Sequence, residues 1–598
     1  MPRPPAVILS LFFLMPCLLL LSLECSYGQD SGETQGSFRN PLPQRTSPRV
    51  DAESNGNGAA LHDPLPRPAA PEASFAEVMT RVAERERDFN QRIRQFRPIV
   101  ETYLQTLKDQ EIGPLPVGDR YFLGRLDLAG AVEELFRSGR TGRHAVLSKL
   151  NLIPRFGELY GPKFLATGFA QMVVLDSDFQ TRYYNFTYVR REFLGEVRCL
   201  VVDVQPRENA GEGRFIGRIW IEDQDYNIVR FNGTYRSRLH PNSYFHFESW
   251  RLNLQPGLWL PTYVFSEEAG DEGAGDSHHF RAQIRLWGYE LLQRDHKEEF
   301  TKIGVESAAP VADLTDVTAD PSPVESERLW AREAEDNALE KLQKVGLVSP
   351  EGEVEDVVQT VINNLILTNN LTIQPEVRTR MLLTTPLESF TIGHTIVLSR
   401  GLLDVLPDEP SLAMILAHEL AHIALDHPQN IRLAFNDRMF FADEDTFGHL
   451  VFRRKPAEEA AADAKALALL ANSPYKDKLG YAGLFLRALE ERAPQLKNLI
   501  QPHLGSRIVS SNGIRMSALL GSAPSLEPRR MDQIAALPLG SRIKLDPWNN
   551  RTELSKGRVA ALTTPREKMP FELAPFFPYL TRWSQMSGNR VVQSSSAK

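Results

Sequence analysis

Two histidines and a glutamate in His418-Glu-Leu-Ala-His422 have the residue types and the spacing of a metal-bound catalytic group. The segment 411–427 is predicted to be helical, and an acidic start at 408–410 favours that helix. Side chains at positions i and i+4 of a helix share one face, so both imidazoles can bind one ion. Glu419 is then placed to contact a water molecule on that ion. Zinc with three protein ligands activates such a water, so the motif predicts metal-assisted hydrolysis.

A second predicted helix, near 457–471, offers the third ligand in Glu459-Ala-Ala-Ala-Asp463. The first helix is apolar around its motif, and burying two histidines and a glutamate there is costly unless something pairs with them. We expect Glu459 to complete a site for one zinc ion per chain. Asp463, one turn later, is placed to hold a histidine N–H. Glu458 is the alternative ligand, but only Glu459 stands four residues before an aspartate.

A third histidine close to the motif, His427, is not expected to be a ligand. It follows His422 by five residues, which is about 500° around a helix, so it points away from the ligand face. A metzincin site is also excluded, because position 425 is leucine and position 428 is proline.

Together, 418–422, His427 and 459–463 resemble a known family of zinc endopeptidases. The family includes the heat-shock membrane peptidase, the CAAX-prenyl endopeptidase and the periplasmic quality-control peptidases. The resemblance covers about 325–519, a third of the chain. It implies a mainly helical, gluzincin-type metallopeptidase domain. The spacing that places His427 is similar to that of the soluble or peripherally attached branch.

The resemblance also implies how a substrate binds. In the family, the stretch before the motif helix is an edge strand to which a peptide adds as a further strand. Here Ser389–Leu398 occupies that place, with Glu388-Ser389 where the family usually has Asn-Ala. The family often carries a downstream His or Arg that stabilises the oxyanion. His503 and Arg507 are the candidates, and a structural, salt-bridging Arg507 is an equal alternative.

Upstream of the peptidase-like region, apolar and β-branched runs recur about every ten residues. This pattern predicts an antiparallel meander. One hairpin, 218–230, resembles the periplasmic lipoprotein-carrier fold, whose curved sheet cradles acyl chains, so envelope proteins or lipids are expected partners of this domain. A plain structural sheet is the alternative. The predicted strands are Phe169–Leu175, Tyr183–Val189, Val197–Val204, Phe215–Ile221, Ile228–Tyr235, Tyr244–Leu252, Trp259–Phe265 and Phe280–Leu291.

The chain is thus predicted to be a multidomain α+β protein, with a mainly helical metallopeptidase domain preceded by an antiparallel β-meander domain. Helical spacing begins at Phe75 and continues to Leu107, although Pro98 should kink or split that helix. The expected segments are a signal peptide (1–28), a disordered tether (29–74), an amphipathic helical segment (75–112), a β-rich domain (113–306), a linker (307–325), the zinc metallopeptidase domain (326–522) and a C-terminal module and tail (523–598).

The N-terminus has the pattern of an export signal: Arg3, an apolar run, and small residues at Ser26 and Gly28. An uncleaved membrane anchor is the alternative. We therefore expect a protein of the periplasm or cell envelope, soluble or peripherally attached to a membrane. Cleavage would leave Cys199 as the one cysteine, a buried structural thiol that makes no internal disulfide. The net charge of −8 argues against nucleic-acid binding.

These patterns predict an extracytoplasmic zinc metalloendopeptidase that acts on misfolded or unassembled envelope proteins. The alternative is a carrier or chaperone for lipids or client proteins, in which the peptidase domain is silent. A third possibility combines both, with the sheet capturing clients for the peptidase.

Overall fold

The computed structural model describes part of the chain, and the predicted signal peptide and nearly all of the tether lie outside it. No described helix is both long enough and apolar enough to cross a membrane. The described residues are 74–583, except for 111–112, 127–131, 138–170, 176–178, 211–213, 236–243, 270–277, 293–322, 428–451, 502–503, 506, 511–512, 528, 535–538, 541 and 556–570.

A ten-stranded antiparallel sheet dominates the N-terminal half, as the recurring strand-like runs predict. Consecutive strands pair from β4 to β10, and β10 then pairs with β1, giving the order β3-β2-β1-β10-β9-β8-β7-β6-β5-β4. The predicted α+β fold class is confirmed. The strands are β1 Ile99–Gln110, β2 Gly113–Leu126, β3 Val132–Arg137, β4 Tyr184–Leu194, β5 Val197–Pro206, β6 Phe215–Glu222, β7 Ile228–Tyr235, β8 Tyr244–Gln255, β9 Leu258–Ala269 and β10 His278–Trp287.

The predicted helix from Phe75 to Leu107 is wrong beyond its first half. Helix α1 spans Phe75–Arg92, opened by a capping box between Ser74 and Glu77. A short 3₁₀ turn follows, and 99–110 form strand β1. Proline favours extended backbone at the residue before it and lacks an N–H for a helix, so Pro98 separates the two elements. Because both faces of β1 are buried, its apolar residues show no simple alternation.

The predicted strand over 169–175 is also wrong where it is described. Gln171–Val173 form a 3₁₀ turn instead. Met172, Val173 and Leu175 are buried in the apolar cluster beneath α1 without joining the sheet. A short apolar run indicates burial, but by itself it does not distinguish a strand from another buried element.

Each face of the sheet packs against a different part of the chain. Two consecutive residues of β5 illustrate this, since successive side chains of a strand point to opposite faces. Val202 lies in a cluster with α1, and Val201 lies in a cluster with the C-terminal half. Under α1, Arg251 of β8 donates two hydrogen bonds of 2.7 Å to Glu86, and both side chains are buried. Protein therefore covers both faces over the central strands, whereas the edge strand β4 keeps exposed side chains such as Phe193.

The C-terminal half is mainly helical, with a small sheet of order β11-β13-β12. Helix α5 lies at its centre, packed against α3, α6 and α7. The domain boundaries themselves stay predictions. The elements are α2 Pro323–Lys344, α3 Glu353–Thr368, β11 Arg378–Leu382, β12 Ser389–Ile392, β13 Thr395–Ser399, α4 Arg400–Val405, α5 Glu409–Ala424, α6 Pro456–Ala471, α7 Leu479–Arg492, α8 Lys497–Ile500, β14 Val509–Ser510, β15 Gly513–Ile514, β16 Ile543–Leu545 and β17 Thr552–Leu554.

Buried polar contacts join the large sheet to the helical half. Glu101 of β1 accepts hydrogen bonds from the backbone N–H and the hydroxyl of Thr385, at 2.6 and 2.8 Å, and from Arg400, at 3.0 Å. Asp119 of β2 accepts from the backbone N–H groups of Asn498 and Leu499, at 2.9 and 2.7 Å. The sheet thus holds both the start of α4 and the short helix α8.

Residues 571–583 form an extended segment that crosses the large sheet. At one end, Gln105 of β1 bonds to the backbone at 571 and 573. At the other end, the carbonyl of Leu580 accepts from the N–H of Glu196, and Arg582 pairs with buried Glu222 at 3.0 Å. This crossing segment covers the sheet on the side that also packs against the helical half.

Candidate metal centre

Helix α5 brings the motif residues into the interior. Asp408 caps the helix by accepting from the N–H of Ser411 at 2.9 Å, and Pro410 lies in its first turn, where a missing N–H costs nothing. His418, Glu419 and His422 are each only 2–3% exposed. The apolar surroundings that make this helix hydrophobic in sequence therefore enclose its three polar side chains.

The predicted ligand atoms converge. His418 Nε2 lies 3.1 Å from His422 Nε2 and 3.1 Å from Glu459 Oε2, and His422 Nε2 lies 3.6 Å from the same oxygen. One ligand atom from each residue falls within 4.8 Å of the others. Two imidazole nitrogens and one carboxylate oxygen are a donor set that suits zinc. The residues present could therefore hold a metal ion, and the identity of that ion stays a prediction.

The electrostatics of the group favour an ionised Glu459. Burial disfavours its charge, but hydrogen bonding to His418 and His422 and the nearby Arg515 guanidinium outweigh burial and hold its pKa far below the usual range. For His418, burial and Arg515 oppose a charge. Contacts with Asp463 and Glu459 outweigh them and raise its pKa. A metal ion binds the neutral imidazole, so an ion at this site would replace the positive charge of His418 as the partner of Glu459.

Asp463 lies behind His418, as its spacing from Glu459 predicts. Its Oδ1 is 2.8 Å from His418 Nδ1. Its other oxygen accepts from the backbone N–H of Met516 at 2.9 Å. Contact at Nδ1 leaves His418 Nε2 to face the ion.

The neighbouring acidic and histidine residues have other contacts. Glu458, the alternative ligand, instead accepts from the N–H of Lys455 at 3.1 Å, at the start of α6. His427 Nδ1 lies 2.8 Å from His422 Nδ1, the side of that ring opposite to Nε2. His427 therefore contacts His422 on the ring nitrogen that points away from the other candidate ligands.

Of the two predicted oxyanion residues, the structure describes only Arg507, which is exposed with no hydrogen bond or ion pair to the described residues; His503 lies outside them. Another arginine, Arg515, lies beside the candidate ligands. Its Nη1 lies 3.0 Å from His418 Nε2, and its Nε lies 3.3 Å from Glu459 Oε2.

Sequence reasoning missed Arg515 because nothing in its local sequence marks it. It follows the short strand β15, and the next residue, Met516, has a left-handed backbone with φ of 50°. The link from the N–H of Met516 to Asp463 fixes this turn against α6. Together with the hydrogen bond from the N–H of Arg515 to the carbonyl of Ile508, at 3.0 Å, this tertiary contact places the arginine beside the ligands.

Strand β12 lies beside the candidate base at the edge of the small sheet. The hydroxyl of Ser389 donates to Glu419 Oε1 at 2.7 Å. Phe390 stacks on Phe452 with ring centroids 4.6 Å apart, and Arg454 donates to the hydroxyl of Thr391 at 2.7 Å. The predicted peptide-binding strand is therefore next to Glu419, with the side chains of Phe452 and Arg454 against it.

Comparisons of the large sheet with solved structures give weak likenesses. A LolA superfamily protein from Nitrosomonas europaea shares 9% identity, with 35% of this chain and 90% of that chain covered and a TM-score of 0.20. A putative outer membrane lipoprotein-sorting protein domain from Vibrio parahaemolyticus shares 11%, with 34% and 91% covered and a TM-score of 0.19. The MucA/MucB complex of Pseudomonas aeruginosa gives 13%, 36% and 94%, with a TM-score of 0.12. TM-scores this low support no inference about function.

No curated protein matches the chain. A family model does match, over residues 351–534, and the match includes α5, α6 and Arg515. That model describes Peptidase family M48, whose members are generally zinc metallopeptidases, so the match supports a peptidase. The stretch that carries every candidate ligand thus matches Peptidase family M48, the family of the heat-shock membrane and CAAX-type zinc peptidases that its motifs resemble.

Proposed function

We propose that this chain is an extracytoplasmic zinc metalloendopeptidase. The observation that carries the proposal is the convergence of His418, His422 and Glu459, with Glu419 on the same helix, inside the stretch that matches a peptidase family. His418, His422 and Glu459 would hold the zinc, which when bound would lower the pKa of a water molecule and polarise a carbonyl group.

The chain's own residues supply the remaining chemistry. Glu419 accepts the proton of the attacking water and delivers it to the leaving amine. Asp463 keeps Nε2 of His418 directed at the ion by contacting the other ring nitrogen. The Arg515 guanidinium, with Nη1 3.0 Å from His418 Nε2, is close enough to donate hydrogen bonds to the oxyanion that develops during attack. We assign Arg515 this role in place of Arg507, while His503 lies outside the described residues.

Substrates of this enzyme are peptides that bind as an added strand along β12, the edge strand at the start of the predicted stretch 389–398. The edge position of β12 supports this, because a strand at the edge of a sheet can pair with another chain. Backbone pairing selects sequence loosely, which suits a peptidase for misfolded or unassembled envelope proteins. The export pattern of 1–28 favours the periplasm or cell envelope as its location.

The experiment compares digestion of unfolded casein by the full mature chain, with and without a zinc chelator. Glu419→Gln should abolish digestion, since the amide cannot accept the proton. Glu458→Gln is the matched control, because Glu458 neighbours a ligand but caps α6. Activity that survives in Glu419→Gln or in the chelator would contradict the mechanism. Equal loss in Glu458→Gln would point to a general defect of α6.

The carrier function is the alternative, and the described structure offers it less support. One face of the large sheet packs on α1, and the other packs on the helical half and on 571–583. A lipid would have to displace one of these. Organic extraction of the purified chain tests this: co-purified lipid at one molecule per chain would favour the carrier.

A further inference from the structure

Ser389 connects the edge strand directly to Glu419. Its hydroxyl donates a 2.7 Å hydrogen bond to Oε1, and each of the two residues is only 3% exposed. The partners are 30 residues apart and belong to different elements, β12 and α5. This tertiary contact lies in the protein interior, away from water, where a hydrogen bond to a carboxylate is strong.

The backbone holds the serine firmly. Ser389 pairs with Leu398 across the small sheet, and the adjoining carbonyl of Glu388 accepts from the N–H of Ser399 at 2.9 Å. Gly505 packs so closely that a Cβ there would lie 2.6 Å from the Ser389 carbonyl oxygen. The hydroxyl therefore has little freedom beyond rotation about one bond.

Glu419, in contrast, depends on this contact for its orientation. A glutamate has three side-chain torsions, and the last of them is broadly distributed unless a hydrogen-bond partner fixes it. Among the described residues, no other hydrogen bond to its carboxylate is made. Oε1 is thus held by Ser389, and Oε2 is left to take a proton.

We propose that Ser389 is a positioning residue that orients the Glu419 carboxylate from the peptide-binding strand. The proposal rests on the proposed peptidase function, and it adds that strand β12 fixes the orientation of the base. A peptide that pairs with β12 then lies next to a base whose carboxylate is already fixed in orientation. An alanine at this position would leave the carboxylate able to rotate.

A purely structural role is the competing explanation, because a buried hydroxyl needs some partner. Three variants of the full mature chain separate the two. Ser389→Ala removes the donor, and Ser389→Thr restores it on a side chain that suits a strand. Ser473→Ala is the matched control, since Ser473 is also buried and hydrogen-bonded, to the carbonyl of Leu470, at the end of α6.

The kinetic readout is kcat against KM with a casein-derived peptide, together with bound zinc measured by metal analysis. In Ser389→Ala, kcat should fall on the order of 10-fold, as for a lost hydrogen bond to a charged group, with KM and zinc content within twofold. Ser389→Thr should recover most of kcat, and Ser473→Ala should keep it. The positioning role would be overturned if Ser389→Ala also changed KM and zinc content and if Ser473→Ala lost kcat to the same extent.

A crystallographic readout keeps the test independent of activity. Metal-free crystals of the wild-type chain should show one Glu419 rotamer, and Ser389→Ala should show it rotated or in two conformers. An unchanged rotamer in Ser389→Ala would overturn the proposal. If the wild-type chain digests nothing, the proposed function fails, while the rotamer comparison still decides whether Ser389 orients Glu419.

Discussion

The buried pair between Glu101 and Arg400 allows a quantitative prediction about how the large sheet and the peptidase half depend on each other. Both side chains are 1% exposed, and their N–O distance is 3.0 Å. Glu101 also accepts from Tyr121 at 3.0 Å and twice from Thr385. For Arg400, burial and the nearby Arg285 disfavour charge and lower its pKa to about 10, although Glu101 and Asp404 support the charge.

The perturbation is Glu101→Gln, which keeps the volume and one acceptor oxygen but removes the negative charge. Arg400 then remains buried without its partner, which should cost about 3–5 kcal/mol of unfolding free energy. That is a large part of the stability of a typical domain, which is roughly 5–15 kcal/mol. Arg400→Met should destabilise for the same reason, because it leaves Glu101 unpaired.

The assay is urea unfolding followed by circular dichroism and by tryptophan fluorescence, with coincident transitions required before free energies are compared. The double variant should lose at least about 1 kcal/mol less than the two single losses added together. Glu340→Gln is the control, because its pair with Lys344 is exposed and should be worth less than about 1 kcal/mol. A Glu101→Gln loss as small as the control, or strict additivity, would refute the reasoning.

Three further predictions concern the site and the thiol. Arg515→Ala should lower kcat for casein peptides by roughly 10²–10³, as for a lost oxyanion donor, whereas Arg507→Ala should keep it within threefold; equal effects would contradict our assignment. Asp463→Asn should weaken zinc binding by roughly 10–100-fold in chelator competition, and unchanged affinity would exclude its proposed role. Burial raises the pKa of the Cys199 thiol to about 12, so in the chain 29–598, where it is the one cysteine, Ellman's reagent should modify it only in urea; rapid reaction of that folded chain would be inconsistent with this packing.

The candidate ligands could be predicted from sequence because their geometry is local. The helix repeat alone aligns His418 with His422, and the same repeat separates Glu459 from Asp463 by one turn. Only the meeting of the two helices had to be inferred, and the alanines of α6 favour close packing there. The buried Cys199, at 0% exposure, could be predicted in the same way from its apolar strand.

Two features were beyond sequence reasoning because they depend on distant partners. Arg515 lies 97 residues from His418, and a turn held by Asp463 directs it to the site. Strand β1 places Glu101 and Gln105 on a buried face, where polar residues hide the two-residue period of a strand. Its helix-like spacing was a coincidence of apolar residues on both faces.

The crossing segment at 571–583 bears on the order in which this protein folds. Gln105 bonds to backbone groups that lie 466 and 468 residues later in the chain, so these contacts form only after all the intervening residues have been synthesised. Contacts between such distant positions slow folding, because a long loop must close before any energy is gained. A nascent chain halted before 571 would present the aromatic surface around Trp250 and Tyr263 to solvent. The large sheet, whose first strand follows α1 in the chain, is therefore synthesised early and covered last.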